Sequence, residues 1–343
     1  MLEVQGLKKT FTSGLVSKRS VKAVDGISFN IADGETFGLV GESGCGKTTV
    51  GRLVLRLIEP TEGKVIFNSI DVLKLNKKAL RKLRPQMQII FQDPESSLHP
   101  RMKIGDIIAE PLKLYNLVPK ANREKKVLEL IDMVGLQPEH VNRFPHELSG
   151  GQSQRVVLAR VLALGPRFIV ADEPTSSLDV SVQAQILSLL KKVQEEFHFS
   201  CLFISHDLNL ISRMTSSMGI MYLGKIVEEG RTKELFEEAR HPYTRALLSA
   251  IPVVDPQTKR KKIVLEGEMP SPMNPLSGCR FHTRCSFKEK ICEKTEPQII
   301  DLGEGHRVAC HLYAAEDKRG VIKTQRSDCH EGSHRKTLEQ RCE

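Results

Sequence analysis

The chain lacks long apolar runs. No stretch of about 18 apolar residues occurs in its 343 residues, so we expect no transmembrane helix. The opening residues, MLEVQGLKKTF, lack a charged head followed by an apolar core, so we expect no secretory signal. Both absences favour the cytosol, where thiols stay reduced. The eight cysteines therefore indicate metal binding, catalysis or packing rather than disulfides.

Composition indicates a globular chain, with 40% hydrophobic and 27% charged residues. The net charge of +9 fits several anionic partners: nucleic acid, anionic lipid or phosphates. The basic residues are scattered through helix-like stretches such as KKALRKLR at residues 77–84. These stretches are typical of solvated helix faces, and a surface that lies near a membrane is the functional alternative.

The stretch FGLVGESGCGKTTVGRLVLRLI contains a phosphate-binding loop, the P-loop, at residues 41–48. A short buried strand is predicted before it, at residues 37–40, and a helix after it. Glycines allow backbone N–H groups to surround phosphates, and the helix N-terminus adds partial positive charge. Lys47 would reach the β- and γ-phosphates, and Thr48 would offer its hydroxyl to Mg²⁺. The predicted nucleotide-binding residues here are Gly41, Ser43, Gly44, Cys45, Gly46, Lys47, Thr48 and Thr49.

Two further motifs carry chemistry. In RFIVADEPTSSLD, the apolar run at residues 168–171 predicts a buried strand that ends at Asp172, a suitable Mg²⁺ ligand beside a P-loop. Glu173 follows, where it could polarise a water against the γ-phosphate. In ELSGGQSQRVVLARVLA, a second helix begins with small residues, which predicts another anion site. Serine and glycine are also ordinary N-caps, and that alternative stays open. The motif residues are Ser149, Gly150, Gly151 and Gln152.

The P-loop, the LSGGQ motif and the acidic strand, in that order, resemble the ATPase subunit of ABC transporters over about residues 1–250. Gln92 in IIFQDP resembles the family's Q-loop glutamine, and Asp179 in SSLD resembles its D-loop aspartate. His206 in LFISHDL follows a predicted buried strand and resembles the switch histidine. Phe11 sits where the family places an aromatic ring that stacks on adenine, although extra residues separate it from the P-loop.

The resemblance implies an α/β fold with a P-loop NTPase (ABC ATPase) core, an N-terminal antiparallel β subdomain and an inserted α-helical subdomain at about residues 93–161. A helix in EKKVLELIDMVGL is supported by an apolar stripe with helical spacing, and Gly135 marks its expected end. The ATPase domain would occupy residues 1–250. A small irregular C-terminal extension would follow at 251–313, and a flexible tail at 314–343. The stripe residues are Val127, Leu130, Ile131 and Val134.

The resemblance also implies a mechanism. Two ATPase subunits would form a head-to-tail dimer in which the P-loop of one chain and the LSGGQ motif of the other hold each ATP with Mg²⁺. Glu173 would be the general base, and His206 would contact the γ-phosphate. Gln92 would be a Mg²⁺ ligand and would relay the nucleotide state to membrane subunits.

Two longer strings, FQDPESSLHPRMKIGDIIAEPL and HPYTRALLSAIP, look like the ATPases of oligopeptide and dipeptide importers, and the first resembles the second ATPase of such systems. Nickel importers share much of this pattern and remain an alternative. The implied partners are two transmembrane permease subunits, a paralogous second ATPase and, indirectly, an extracytoplasmic substrate-binding protein. The chain would lie peripherally on the cytoplasmic face of the inner membrane.

Two other functional classes are disfavoured. A soluble ABC ATPase that acts on nucleic acid or the ribosome usually carries two cassettes or long coiled coils, but this chain has one P-loop and no heptad array. A regulatory subunit that binds ATP without turnover would not need Glu173 and His206. We therefore expect an ATPase with no nucleic-acid partner.

Four cysteines lie in the predicted extension, with gaps of five, six and seventeen residues between them. Such thiolates can hold an iron–sulfur cluster or zinc, although zinc sites favour gaps of about two to four residues. The residues alone leave iron–sulfur, zinc and free thiols open, and the resemblance implies a [4Fe–4S] cluster. Its role would be to stabilise a loop-rich segment or to switch transport by redox state. The four residues are Cys279, Cys285, Cys292 and Cys310.

Overall fold

The structure, a computed structural model, describes residues 1–13, 19–251, 263–271, 273 and 276–314. The predicted flexible tail therefore lies outside the described residues, apart from residue 314. In the described part of the chain, no helix is both long and apolar enough to cross a membrane. The helices are α1 Lys47–Val54, α2 Lys77–Leu83, α3 Pro94–Ser97, α4 Ile104–Leu114, α5 Arg123–Met133, α6 Gly150–Leu162, α7 Val180–Phe197, α8 Leu208–Met214, α9 Thr232–Glu238, α10 Pro242–Ser249 and α11 Lys290–Lys294.

The main sheet has the strand order β11-β12-β10-β9-β3-β8-β7-β6. Its central pairs, from β9 to β6, are parallel, and β10, β11 and β12 continue it in antiparallel pairing. The three strands predicted from buried apolar runs are confirmed as β3, β7 and β8. The strands of this sheet are β3 Thr36–Val40, β6 Met87–Ile90, β7 Phe168–Asp172, β8 Ser200–Ser205, β9 Ser217–Tyr222, β10 Lys225–Arg231, β11 Ile300–Asp301 and β12 Arg307–Val308.

A second, antiparallel sheet forms the N-terminal part of the chain, with the order β2-β1-β4-β5. The two hydrophobic cores lie on opposite faces of the main sheet. Successive residues of β7 alternate between them, because side chains of a strand point to opposite faces. Phe168 and Val170 join the core below the second sheet, and Ile169 and Ala171 join the other. The strands are β1 Leu2–Ser13, β2 Arg19–Ile31, β4 Glu62–Phe67 and β5 Ile70–Asp71.

Helices α3 to α6 lie in the segment where an inserted helical subdomain is expected. The predicted apolar stripe of α5 is confirmed: its side chains, including Leu130 and Ile131, are at most 4% exposed. The helix ends at Met133, and Gly135 follows with φ of +69°, a left-handed conformation that suits glycine after a helix end. The exact subdomain and domain boundaries stay predictions.

The C-terminal extension, expected to be irregular, contains the short helix α11 and the short strands β11 and β12. Strand β12 pairs with β10, so the extension completes the edge of the main sheet. Glu228 of β10 is 1% exposed, and its carboxylate accepts hydrogen bonds from the backbone N–H groups of Arg240 (2.6 Å) and His241 (3.0 Å). The His306 Nε2 atom of the extension lies 2.8 Å from the same carboxylate. This buried acid therefore fastens the extension to the ATPase domain.

Replacing this acid should destabilise the protein. Burial alone would raise the pKa of Glu228, but the hydrogen bonds outweigh burial and hold this pKa below its ordinary value of 4.5. Glu228→Ala should lower the free energy of unfolding by about 3 kcal/mol, because it leaves buried donors without a partner. Urea unfolding followed by circular dichroism measures this change.

The pH dependence follows from the lowered pKa. The ionised Glu228 stabilises the fold above about pH 4.5, and this contribution disappears as the pH falls through the lowered pKa. The difference between wild type and variant should therefore shrink in that range. Glu237→Ala is the control, since the exposed pair that Glu237 makes with Lys233 should contribute less than about 0.5 kcal/mol. Equal losses in both variants would contradict the role of Glu228.

Candidate nucleotide-binding site

The P-loop connects β3 to α1 and closes around the Lys47 side chain. This side chain is buried, and its ammonium donates hydrogen bonds to the carbonyl oxygens of Gly41 (2.7 Å) and Glu42 (3.1 Å). Gly46 precedes the helix with φ of +112°, and a Cβ there would overlap the carbonyl oxygen of Ala23. The loop therefore presents a helix N-terminus and a central cation, the two features that bind phosphate groups.

Two of the three predicted Mg²⁺ ligands, Thr48 and Asp172, meet beside this loop, and the Mg²⁺ role of Gln92 stays a prediction. The hydroxyl of Thr48 donates to Oδ1 of Asp172 at 2.9 Å. Burial raises the pKa of Asp172, and the hydrogen bond from Thr48 offsets part of that shift. Both groups offer oxygen ligands, which Mg²⁺ prefers, so the residues present fit this metal. A bound cation would also keep the buried Asp172 ionised.

Glu173 lies directly after β7, and its carboxylate contacts two polar side chains. Its Oε2 accepts a hydrogen bond from Nε2 of Gln92 at 3.2 Å, and its Oε1 lies 3.0 Å from Nδ1 of His206. The backbone of Glu173 has φ of +48°, a conformation that costs energy for a residue with a side chain. Three residues predicted from separate motifs are thus brought together, next to the P-loop.

A cavity lies beside the P-loop, and part of its wall was not predicted from the sequence. Residues 21–23 of β2 and the turn at residues 223–224 line it together with Gln92, Glu173 and loop residues 43–49. No sequence motif marked these segments. Phe11 does not line the cavity: its side chain is 43% exposed on β1, opposite Val21. Its role as the adenine platform stays a prediction.

The LSGGQ motif and the D-loop do not line this cavity. Ser149 is the N-cap of α6: its hydroxyl accepts from the backbone N–H of Gln152 (3.3 Å), whose side chain accepts from the Ser149 N–H (2.9 Å). Asp179 is the N-cap of α7, and its Oδ1 accepts from the backbone N–H of Val182 at 3.0 Å. Both motifs therefore act as local helix caps. Contact of the LSGGQ motif with an ATP of the partner chain and nucleotide binding by Asp179 stay predictions.

The predicted iron–sulfur or zinc site gains no support from the geometry. Among the described residues, no group of three or more His, Cys, Asp or Glu side chains is placed to hold a metal ion. The Cys279 N–H does donate to the Cys292 carbonyl at 2.8 Å. Burial raises the pKa of Cys279 to about 11 and that of Cys310 to about 12, and the neighbouring thiols add to both shifts. As free thiols, Cys279 and Cys310 would therefore stay protonated at neutral pH.

Sequence comparison finds relatives that match nearly the whole chain. The chain is 48% identical to the "Oligopeptide transport ATP-binding protein AppF" of Bacillus subtilis, over 92% of this chain and 98% of the relative. It is 50% identical to the "Putative oligopeptide transport ATP-binding protein YkfD" of the same organism, over 94% and 98%. The similarity therefore extends through both the ATPase domain and the C-terminal extension.

Structure comparison supports the fold. The ATP-binding cassette MJ0796 bound to ADP and Pi matches with a TM-score of 0.61 and 31% identity, over 68% of this chain and 99% of that chain. The cbiO1 protein of Clostridium perfringens, part of the ABC transporter complex cbiONQ, matches with a TM-score of 0.61 and 27% identity, over 69% and 90%. The α/β ABC ATPase fold expected from the sequence is therefore confirmed.

The P-loop geometry makes a testable prediction. Gly46→Ala should weaken ATP binding by about 100-fold, since the new Cβ would push the loop away from the Ala23 carbonyl and strain the backbone. Displacement of a fluorescent ATP analogue from the full chain measures this affinity. Gly34→Ala is the control, because Gly34 also has positive φ but open space around it. Normal ATP binding by the Gly46 variant would contradict the assignment of the loop.

Two family profiles match complementary parts of the chain. The profile "ABC transporter" covers residues 24–176, which hold the P-loop, the LSGGQ motif and the Asp172–Glu173 pair. The profile "Oligopeptide/dipeptide transporter, C-terminal region" covers residues 227–292, which include most of β10 and the first three cysteines of the extension. With these matches, the near-complete overlap with the relatives and the site geometry, the chain belongs to the ABC transporter family as an ATP-binding subunit of its oligopeptide/dipeptide branch.

Proposed function

We propose that this chain is one of two ATP-hydrolysing subunits that power peptide uptake by an ABC importer. The observation that carries the proposal is the position of Glu173, bracketed by Gln92 and His206 beside the P-loop. The names of the relatives and the match of residues 227–292 to the oligopeptide/dipeptide transporter region support peptides as the transported substrate. A nickel or other solute importer is the alternative outcome of the test.

The reaction would be hydrolysis of ATP to ADP and phosphate. Lys47 and the P-loop N–H groups would bind the phosphates, and Thr48 with Asp172 would hold Mg²⁺, which neutralises phosphate charge. Water would attack the γ-phosphate as Glu173 takes its proton, and the bond to ADP would break. His206, 3.0 Å from Glu173, would orient this carboxylate and contact the γ-phosphate.

We propose two ATPase subunits because the residues of one chain leave the cavity incomplete. Among the described residues that line it, none comes from the LSGGQ motif or the D-loop. Ser149 is exposed at the start of α6, where a partner's nucleotide could reach it. The partner would be a paralogue. Gln92 would relay the nucleotide state to two permease subunits through α3–α6, with this chain peripheral on the cytoplasmic face of the inner membrane.

Glu173→Gln tests the catalytic assignment. The amide cannot take a proton from water, so ATP hydrolysis should fall by about 100-fold or more while ATP binding is retained. The assay uses the chain assembled with its permeases and second ATPase in proteoliposomes, and measures phosphate release and uptake of a labelled peptide. Glu196→Gln, an exposed change on α7, is the control. Unchanged hydrolysis would refute the base, and uptake of nickel instead of peptide would refute the substrate.

An iron–sulfur cluster at the four extension cysteines is a separate proposal. Four soft thiol donors fit a [4Fe–4S] cluster. The Cys279 N–H donates to the Cys292 carbonyl at 2.8 Å, which places two of the four cysteines side by side. Binding of a cluster would require deprotonation and closer approach of these thiols.

Metal analysis decides whether the four cysteines hold an iron–sulfur cluster, hold zinc or are free thiols. After anaerobic purification, the proposal predicts a brown protein with about four irons and four sulfides per chain. Cys279→Ser should abolish the colour, and Cys201→Ser, a change in the buried strand β8, should not. One zinc, or neither metal, would contradict the cluster and leave the ATPase function untouched.

A further inference from the structure

An acidic residue inside the P-loop creates an electrostatic problem. Glu42 follows Gly41 in the loop and lines a second cavity, which shares Gln92 and Glu173 with the nucleotide cavity. A negative charge is thus near the site that must accept an anionic triphosphate. The backbone of Glu42 is fixed at two points: its N–H donates to the Tyr243 hydroxyl at 3.0 Å, and its carbonyl accepts from Lys47 at 3.1 Å. The backbone of Glu42 therefore cannot move away from the loop without breaking these contacts.

The C-terminal extension supplies the cation that meets this charge. Arg284, 242 positions later in the chain, donates from Nη1 to both oxygens of Glu42, at 2.9 and 3.1 Å. The Arg284 side chain is 9% exposed and that of Glu42 is 29% exposed, so water and salt screen this pair less than a surface pair. The guanidinium of Arg284 lies 6.0 Å from the centre of the Tyr222 ring. This ring further limits access of water to the cation.

Aromatic packing holds Arg284 in place. Phe281, three residues earlier in the extension, is 2% exposed and packs against Tyr222 and Tyr243 with ring centres 5.3 Å apart in both pairs. Tyr243 is also the residue that accepts the Glu42 N–H. Met269 of the extension lies against the P-loop from another side, 3.7 Å from the position of a Cβ on Gly44. The extension is thus docked directly on the P-loop.

The charge of Glu42 reaches the interior of the loop. Burial raises the pKa of the Cys45 thiol, Lys47 lowers it, and Glu42 raises it. Cys45 lies between Gly44 and Gly46 and lines the nucleotide cavity. An unpaired Glu42 would therefore oppose nucleotide binding, and a paired one would not.

We propose that Arg284 is a positioning residue for nucleotide binding: it neutralises and orients Glu42 so that ATP can occupy the P-loop. The C-terminal extension thereby has a role in ATP affinity that is independent of what the transporter carries and of any metal at the cysteines. The proposal requires only that the chain binds ATP.

The test compares the two single variants with the double variant. ATP affinity of the full chain is measured by displacement of a fluorescent ATP analogue, and thermal unfolding is followed in parallel. Arg284→Gln should weaken ATP binding about tenfold, because it exposes the phosphate site to Glu42. Glu42→Gln should bind ATP at least as tightly as wild type. The double variant should return to within about threefold of wild type, because it removes the charge that Arg284 neutralises.

A matched control and a salt series separate this effect from loss of stability. Arg307→Gln removes another ion pair of the extension, with Glu229 at 2.5 Å, and should lower the melting temperature without changing ATP affinity. The tenfold effect of Arg284→Gln should shrink as the salt concentration rises, because it is electrostatic. If Arg284→Gln does not fold, Arg284→Lys takes its place and should bind ATP nearly as wild type does. Glu42→Gln then still shows whether removing the charge of Glu42 strengthens or weakens ATP binding.

Three results would overturn the proposal. Unchanged ATP affinity in Arg284→Gln would show that Arg284 has no role in binding. Equal weakening by Glu42→Gln and Arg284→Gln, or additive losses in the double variant, would show that the pair merely braces the loop. If the wild-type chain itself failed to bind ATP, the ATPase function would be wrong, which is a distinct outcome.

Discussion

The parallel pairing of β8 between β3 and β7 is the interaction on which the candidate site depends. Val40 pairs with Ser205, and Asp172 pairs with Ile204, so all three strands end at one edge of the sheet. The P-loop and His206 directly follow β3 and β8, and the acidic pair stands at the end of β7. A shift in this register would separate the phosphate-binding cation from the carboxylates. Burial of both faces of these strands under hydrophobic cores fixes the register.

Negative charge is concentrated at that edge of the sheet. Glu42, Asp172 and Glu173 lie around a site that must also accept phosphates, so cations have to balance them. Lys47 comes from the loop itself, Mg²⁺ would neutralise Asp172, and Arg284 faces Glu42. Glu173 contacts Gln92 and His206 and no Lys or Arg side chain is among these two neighbours, which would suit the proposed general base. The arrangement gives each of the three carboxylates a different environment.

The C-terminal extension belongs to the ATPase domain physically. The described part of the segment between α10 and the cysteines includes Leu265 and Met269, which pack against the hydrophobic cores. Strand β12 extends the main sheet, and buried Glu228 joins it to the ATPase domain. Arg280 of the extension donates to the Asp25 carboxylate and to the carbonyl of Leu223, a residue in the wall of the cavity. The extension therefore contacts the ATPase domain through residues other than its cysteines.

The sequence by itself determined the motifs and the local elements that carry them. The P-loop, the buried strands before Asp172 and His206, and the amphipathic helix α5 follow from spacing over a few residues, and local spacing is what a sequence displays. The sequence could not reveal that Val21 and Ala23 line the cavity, because no local pattern marks a strand whose place depends on distant pairing. Nor could it show Arg284 on Glu42, since contacts between side chains 242 positions apart exist only once both cores have formed.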